Sequence, residues 1–325
     1  MRKLKPALFP LAAILLFTCA ATAANKDNTM SRHEPIKVTD HIRTVINHPA
    51  FEGFGEHLLA RPQDAFKDIT MEDIGGTMPW HDHVVPEVVV SGLNRLIADV
   101  NEGKTVFYSF YSDAEKRADT GLFFLRGRPG APFAILCPGG GFSYIGSMHE
   151  GFPMADEINK HGYNAFVLEY RTGGEGIACS DLAAALVWIF AHAKELGVGT
   201  EGYSVWGGSA GGRMSANMGS LGPAYYGAKS VPKPAAVIVA YTGHEKSTPD
   251  DSPAFSIVSQ DDPIAGPGSL QRRTETLRKN GIDAEFVLLS NAGHGFGTGK
   301  GTEAEGWMEK AIAFWERHIP MGARQ

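Results

Sequence analysis

One stretch constrains the fold of this chain more than any other: Tyr203-Ser-Val-Trp-Gly-Gly-Ser-Ala-Gly-Gly-Arg-Met214. Tyr203 to Trp206 is a short apolar run of the kind that forms a strand buried on both faces. It stops at Gly207-Gly208-Ser209-Ala210-Gly211, and Ser215-Ala216-Asn217-Met218 continues as a helix. A strand that turns into a helix within so few residues leaves no room for side chains beside the turn, which is why glycines flank it. The turn lifts the residue at its apex, Ser209, off the end of the sheet and holds it in a strained backbone conformation. Glycine supplies 39 of the 325 residues, so a Gly-x-Ser-x-Gly string alone says little, and the flanking strand and helix carry the reading.

The rest of the chain supplies the sheet that such a turn requires. Thr105–Tyr111 and Gly121–Arg126 read as strands, and Pro132–Cys137 as a central one. A helix around Pro153–His161 and a strand at Tyr163–Tyr170 follow. The next helix is expected from Asp181 to Leu196, with Ser180 as its N-cap and Gly197 as its stop. Strands at Ala235–Tyr241 and Ala254–Ser259, a helix at Ser269–Asn280 stopped by Gly281, a strand at Ala284–Leu289 and a helix at Ala304–His318 complete the series. Alternating strands and helices predict an α/β fold with a mostly parallel central sheet and helices on both faces. Its site is expected at the carboxyl ends of the strands.

Residues 1–23 are set apart as a signal peptide: a basic start, Met1-Arg-Lys-Leu-Lys5, an apolar core and Ala21-Thr22-Ala23 as a cleavage site. It is too short for a stable membrane span, and it predicts a periplasmic or secreted protein, with lipidation at Cys19 as the lesser alternative. Residues 24–104 carry Phe51, Phe54, Leu58, Leu59, Trp80 and a helical period over Glu87–Val100. They are expected to pack on a catalytic domain spanning 105–325, near its mouth. No internal repeat or linker divides the chain. The net charge of −6 and the lack of a basic cluster beyond the first five residues exclude nucleic acid as a partner. Cys137 and Cys179 read as separate buried thiols, although export would permit a disulfide. His81-Asp82-His83 has no third ligand at suitable spacing and lies in a loop between Pro79 and Pro86, so neither a metal nor another cofactor is expected.

A serine hydroxyl is a feeble nucleophile without a base, a group that orients the base, and donors for the oxyanion that forms. His294, in Asn291-Ala-Gly-His-Gly-Phe-Gly297 after the last strand, is placed to be the base. Asp261 and Asp262 follow the strand ending at Ser259, and either could orient the imidazole. Cys137-Pro138-Gly-Gly-Gly141-Phe142 ends the central strand and exposes backbone N–H groups suited to an oxyanion.

Pro138-Gly-Gly-Gly-Phe142, Gly207-Gly-Ser-Ala-Gly-Gly212, Asp262-Pro263 and His294-Gly-Phe296 together resemble the motif set of acetyl esterase/lipase-type α/β-hydrolases. These include the hormone-sensitive-lipase-like carboxylesterases and the acetyl-xylan and feruloyl esterases. The resemblance covers roughly residues 120–320. Carried over residue by residue, it implies a catalytic Ser209, Asp262 and His294 and an oxyanion hole of Gly140, Gly141 and Ala210. It implies Tyr144 as a wall of the acyl pocket. It also favours Asp262 over Asp261, since proline and an aliphatic residue follow the acid; Ile264 would then pack into the core and Asp261 would face solvent or cap the turn. Two positions depart from the motif: Pro138 replaces a histidine and Gly208 a frequent aspartate. The expected activity is an exported serine hydrolase acting on small-molecule or carbohydrate carboxylic esters with acetyl or short acyl groups. The alternatives are a serine peptidase of prolyl-oligopeptidase type and a hydrolase-fold protein that binds without turnover.

Overall fold

The computed structural model describes residues 30–323, so the expected leader and Cys19 lie outside the described residues. In chain order the helices are α1 (Ile42–Ile46), α2 (Pro86–Asn101), α3 (Ala114–Ala118), α4 (Phe152–Lys160), α5 (Glu175–Leu196), α6 (Ala210–Ser220), α7 (Gly268–Lys279) and α8 (Trp307–His318). The strands are β1 (Phe107–Tyr108), β2 (Gly121–Leu125), β3 (Pro132–Cys137), β4 (Asn164–Glu169), β5 (Gly199–Gly208), β6 (Ala236–Ala240), β7 (Ala254–Ser259) and β8 (Ala284–Leu289). They form one sheet in the order β1-β2-β4-β3-β5-β6-β7-β8. The β1-β2 and β2-β4 pairs are antiparallel, and every pair from β4-β3 to β7-β8 is parallel. The architecture is the α/β-hydrolase fold, with β3 and β5 side by side at the centre.

The apolar runs dictate this order. Residues of β2, β3, β4, β6 and β7 are buried throughout, as strands covered by helices on both faces must be. Two boundaries differ most from the sequence reading. The expected strand Thr105–Tyr111 shrinks to Phe107 and Tyr108, which pair with Phe123 and Leu122 at the sheet edge. Its alternation reflects Val106 and Phe110 buried by packing, while Asp113 caps the short α3 immediately beyond. Helix α5 begins at Glu175, not at Asp181, and the Ser180 hydroxyl donates to the Gly176 carbonyl inside the helix in place of capping it. Gly174 and Gly176 disguised that first turn. The expected stop at Gly197 is left-handed, at φ 70°. Helix α5 is long and apolar enough to cross a membrane by composition, but Leu182, Leu186 and Ile189 are buried inside the molecule.

Residues 36–100 add to the same apolar core as the sheet. Ile42, Phe51, Leu58, Met71, Val89, Leu93 and Leu96 belong to one continuous cluster with Phe123, Ile135 and Phe152. Each fully buried aliphatic or aromatic side chain contributes about 1.5–3 kcal/mol, which binds this irregular segment to the sheet without regular pairing. Cys137 and Cys179 are free, buried thiols, and burial pushes both up, Cys179 to about 12, which disfavours the thiolate.

Candidate active site

Strand β5 passes directly into α6 through Ser209, whose φ of 52° and ψ of −117° lie in a region that costs a non-glycine residue about 1–3 kcal/mol. The turn is held from below, where the Ser209 N–H donates to the Ala240 carbonyl at 3.0 Å. The Ser209 Oγ stands 3.0 Å from His294 Nε2, and His294 Nδ1 stands 2.7 Å from Asp262 Oδ2. Asp262 Oδ1 accepts the N–H groups of Ile264 and Ala265, at 2.8 and 2.7 Å. With Nδ1–H donating to this anchored carboxylate, the Nε2 lone pair faces the serine hydroxyl. His294 and Asp262 are both buried, which strengthens the charge-assisted contact between them.

Asp261 is exposed, as expected, and has a further task. Its Oδ1 accepts the Gly293 N–H at 3.0 Å and a bond from the Ser259 hydroxyl. The Ser259 hydroxyl first, and then the Gly293 N–H, hold its carboxyl below the usual range. Asp261 therefore ties the end of β7 to the loop that carries His294. Ile264, expected to pack into the core, is instead 57% exposed at the rim of the site, and Ala265, at 5%, takes the inward position.

At the end of β3 the chain turns through Gly140 and Gly141, with φ values of 136° and 60°. Among the described residues the N–H groups of Gly140, Gly141 and Ala210 have no protein acceptor. Gly141 and Ala210 line a cavity of about 470 Å³ together with Ser209 and His294, and Gly140 is buried one residue behind. Phe142 and Ile264 give this cavity an apolar side; Glu175 and Arg213 give it a polar one. Arg213 pairs with Glu175 at 2.7 Å, and Asn217 Nδ2 donates to the second Glu175 oxygen at 2.9 Å.

Tyr144 does not wall the cavity. It is completely buried, its Oη accepts the Trp80 N–H at 3.2 Å, and the same oxygen lies 2.8 Å from His81 Nδ1. Beneath the glycine loop lies a polar cluster that the sequence reading passed over. Glu150 Oε2 accepts the Gly139 N–H at 2.5 Å, and Oε1 accepts the Tyr241 hydroxyl at 3.0 Å while lying 3.0 Å from His81 Nε2. Burial would push the Glu150 carboxyl up, but His81 and the Gly139 N–H outweigh it and hold the group at about 2. His149 Nε2 donates to the Gly295 carbonyl at 2.7 Å, and burial, with His81 beside it, lowers that imidazole to about 4. One signal was available: an acid in Met148-His-Glu-Gly-Phe152, where apolar neighbours leave a charge no water.

Comparisons with known proteins agree with this architecture. Residues 126–229 match the BD-FAE family model. A stretch of 102 residues is 30% identical to an acetylxylan esterase of Xylanibacter ruminicola, covering 31% of this chain and 21% of that protein. The match thus spans about a fifth of the length of that curated relative. An acetyl ester-xyloside bifunctional hydrolase from Caldicellulosiruptor lactoaceticus superposes with a TM-score of 0.57 at 18% identity, over 67% of this chain and 96% of its own. An α/β-hydrolase from a Medee basin deep-sea metagenome gives 0.56 at 19% identity, over 65% and 96%. Esterase 2 of Thermogutta terrifontis gives 0.57 at 18%, over 66% and 95%.

Proposed function

We propose that this protein is a serine esterase acting on acetyl or short acyl esters, including esters of carbohydrates. The observation that carries the reading is the chain of contacts Asp262–His294–Ser209, at 2.7 and 3.0 Å, ending on a strained serine beside unoccupied N–H donors. In this reading His294 Nε2 takes the Ser209 proton as Oγ attacks the ester carbon. The oxyanion is received by the N–H groups of Gly140, Gly141 and Ala210. The imidazolium, steadied by Asp262, then gives its proton to the departing alcohol and leaves an acyl group on Ser209. Water, deprotonated by the same nitrogen, attacks that acyl-enzyme, and the acid departs with Ser209 restored.

The kinship with an acetylxylan esterase and the polar wall of Glu175 and Arg213 support a hydroxylated alcohol portion in the substrate. Export by cleavage of residues 1–23 belongs to the same proposal, and the mass of protein recovered from the periplasm or medium checks it. For the activity, release of p-nitrophenol from short acyl esters and of acetate from acetylated xylan should be measured on wild type and Ser209→Ala. The variant should lose turnover and fluorophosphonate labelling while keeping its fold. A wild type that neither labels nor hydrolyses any simple ester sinks the reading in favour of binding without turnover.

A further inference from the structure

The residues just ahead of α2 touch both loops that the proposed chemistry depends on. Asp82 and His294 exchange bonds: the Asp82 N–H donates to the His294 carbonyl at 3.0 Å, and the His294 N–H donates to Asp82 Oδ2 at 3.1 Å. The base loop is pressed close on the same side, since a Cβ on Gly293 would lie 2.6 Å from Asp82 Oδ2 and one on Gly295 2.8 Å from the Trp80 carbonyl oxygen. One step back, Trp80 stacks on Tyr144 at 5.3 Å and covers Gly141 so closely that a Cβ there would fall 2.6 Å from its ring. Between them, His81 meets Glu150, the acceptor of the Gly139 N–H. Three consecutive residues thus brace the donors on one side of Ser209 and the base on the other.

The geometry points to Trp80-His81-Asp82 as a positioning element that sets the distance between the oxyanion loop, Gly139–Gly141, and the base loop carrying His294. None of the three reaches the reacting atoms, so they act through Gly139, Gly141 and His294. The assignment gives the segment before the sheet a role in turnover, and it rests on the serine-esterase reading. A buried loop end needs such bracing because a misplacement of about 1 Å at reacting groups costs on the order of a hundredfold in rate.

The test uses the full chain with Asp82→Ala, Asp82→Asn and Trp80→Ala, on p-nitrophenyl acetate, with thermal midpoints measured alongside. Asp82→Ala should lower kcat by about ten- to a hundredfold with KM within about threefold, because substrate binding is left intact while the base drifts. Asp82→Asn keeps an oxygen for the His294 N–H and should restore kcat to within about threefold of wild type. Trp80→Ala, at a half-exposed site that tolerates truncation, should lower kcat by about tenfold in the same manner. Amide hydrogen exchange across residues 291–297 should quicken in Asp82→Ala and not in Asp82→Asn. The assignment is overturned if the alanine variants keep wild-type kcat, if Asp82→Asn is as impaired as Asp82→Ala, or if the loss lies in KM. An inert wild type overturns the esterase reading and takes this assignment with it; an active wild type with indifferent variants overturns this assignment alone.

Discussion

The ring of Tyr241 occupies the space that a side chain at Gly208 would need: a Cβ at 208 would lie 2.4 Å from Tyr241 Cε2. The ring cannot step aside. Its hydroxyl is bonded to Glu150, and its edges meet His294 at 5.4 Å and Phe296 at 4.5 Å between centroids. Glycine beside Ser209, where related motifs often carry aspartate, is therefore the counterpart of a tyrosine just past the end of the neighbouring strand β6. Gly208→Ala should destabilise the protein by about 1–3 kcal/mol through overpacking. Pairing it with Tyr241→Leu should recover part of that loss in urea unfolding, and a double variant weaker than the sum of its parts would show that the ring is not the obstacle.

The two neighbouring aspartates should separate cleanly. Asp262→Asn removes the carboxylate that fixes the His294 tautomer and should lower kcat by about 10³–10⁴. Asp261→Asn keeps an acceptor for the Gly293 N–H and should cost less than about tenfold. Both are measured on one ester, and the reverse ranking would move the orienting role to Asp261.

Arg213 and Glu175 should matter for one class of substrate only. Arg213→Ala removes a half-exposed guanidinium from the cavity wall without touching Ser209, His294 or the glycine loop. The ratio of kcat/KM on acetylated xylo-oligosaccharides to that on p-nitrophenyl acetate should fall by about tenfold, the worth of one bond to a charged group. An equal fall on both substrates would mark the pair as a brace between α5 and α6.

Stability should pass through a maximum near pH 6.5. Burial raises Glu169 to about 8 against the Ser147 hydroxyl, from an ordinary 4.5. The unfolded chain gives up this proton above 4.5 while the folded one keeps it, so the term costs stability as pH rises from 4.5 to 8, by about 1.4 kcal/mol per unit. His149 and His244 act in the opposite sense: burial first, then His81 and Arg273 respectively, lowers each to about 4 from 6.5. They bind protons only when unfolded between those values, so stability rises with pH from 4 to 6.5, and two such groups outweigh one acid. Glu169→Gln should abolish the decline between pH 6.5 and 8, a difference of about 2 kcal/mol in urea unfolding. Parallel curves for the two proteins would refute it.

Much of this architecture was legible because its signals are local. Pro132–Cys137 announces its strand by an uninterrupted apolar run, Ala254–Ser259 and Ala284–Leu289 theirs by mostly apolar stretches rich in aromatic and β-branched residues, and the turn at Ser209 is announced by its glycines. Asp262 could be singled out by the proline that follows it. Tyr144, Glu150 and His81 were misjudged or missed because their roles come from partners distant in sequence. Nothing in Pro79-Trp-His-Asp-His83 reports that Glu150 lies 3.0 Å away, and a histidine in a proline-bounded loop looks like a surface residue. Ser180 was misread for the same reason in miniature: a good capping residue is also at home one turn inside a helix, bonded to the carbonyl four residues back.

The bond between Asp82 and the His294 amide joins residues 212 positions apart in the chain. A contact of such long span forms late, because the whole intervening chain must be in hand before the ends can meet. Trp80, His81 and Asp82 are made before all three of their partners, Tyr144, Glu150 and the His294 loop, and the last of these completes the brace. Only when β8 and the loop after it are in place do Ser209, the glycine loop and the His294 imidazole come into register together. On the serine-esterase reading, a chain that stops short of β8 is inactive, and activity arrives with the last part of the fold.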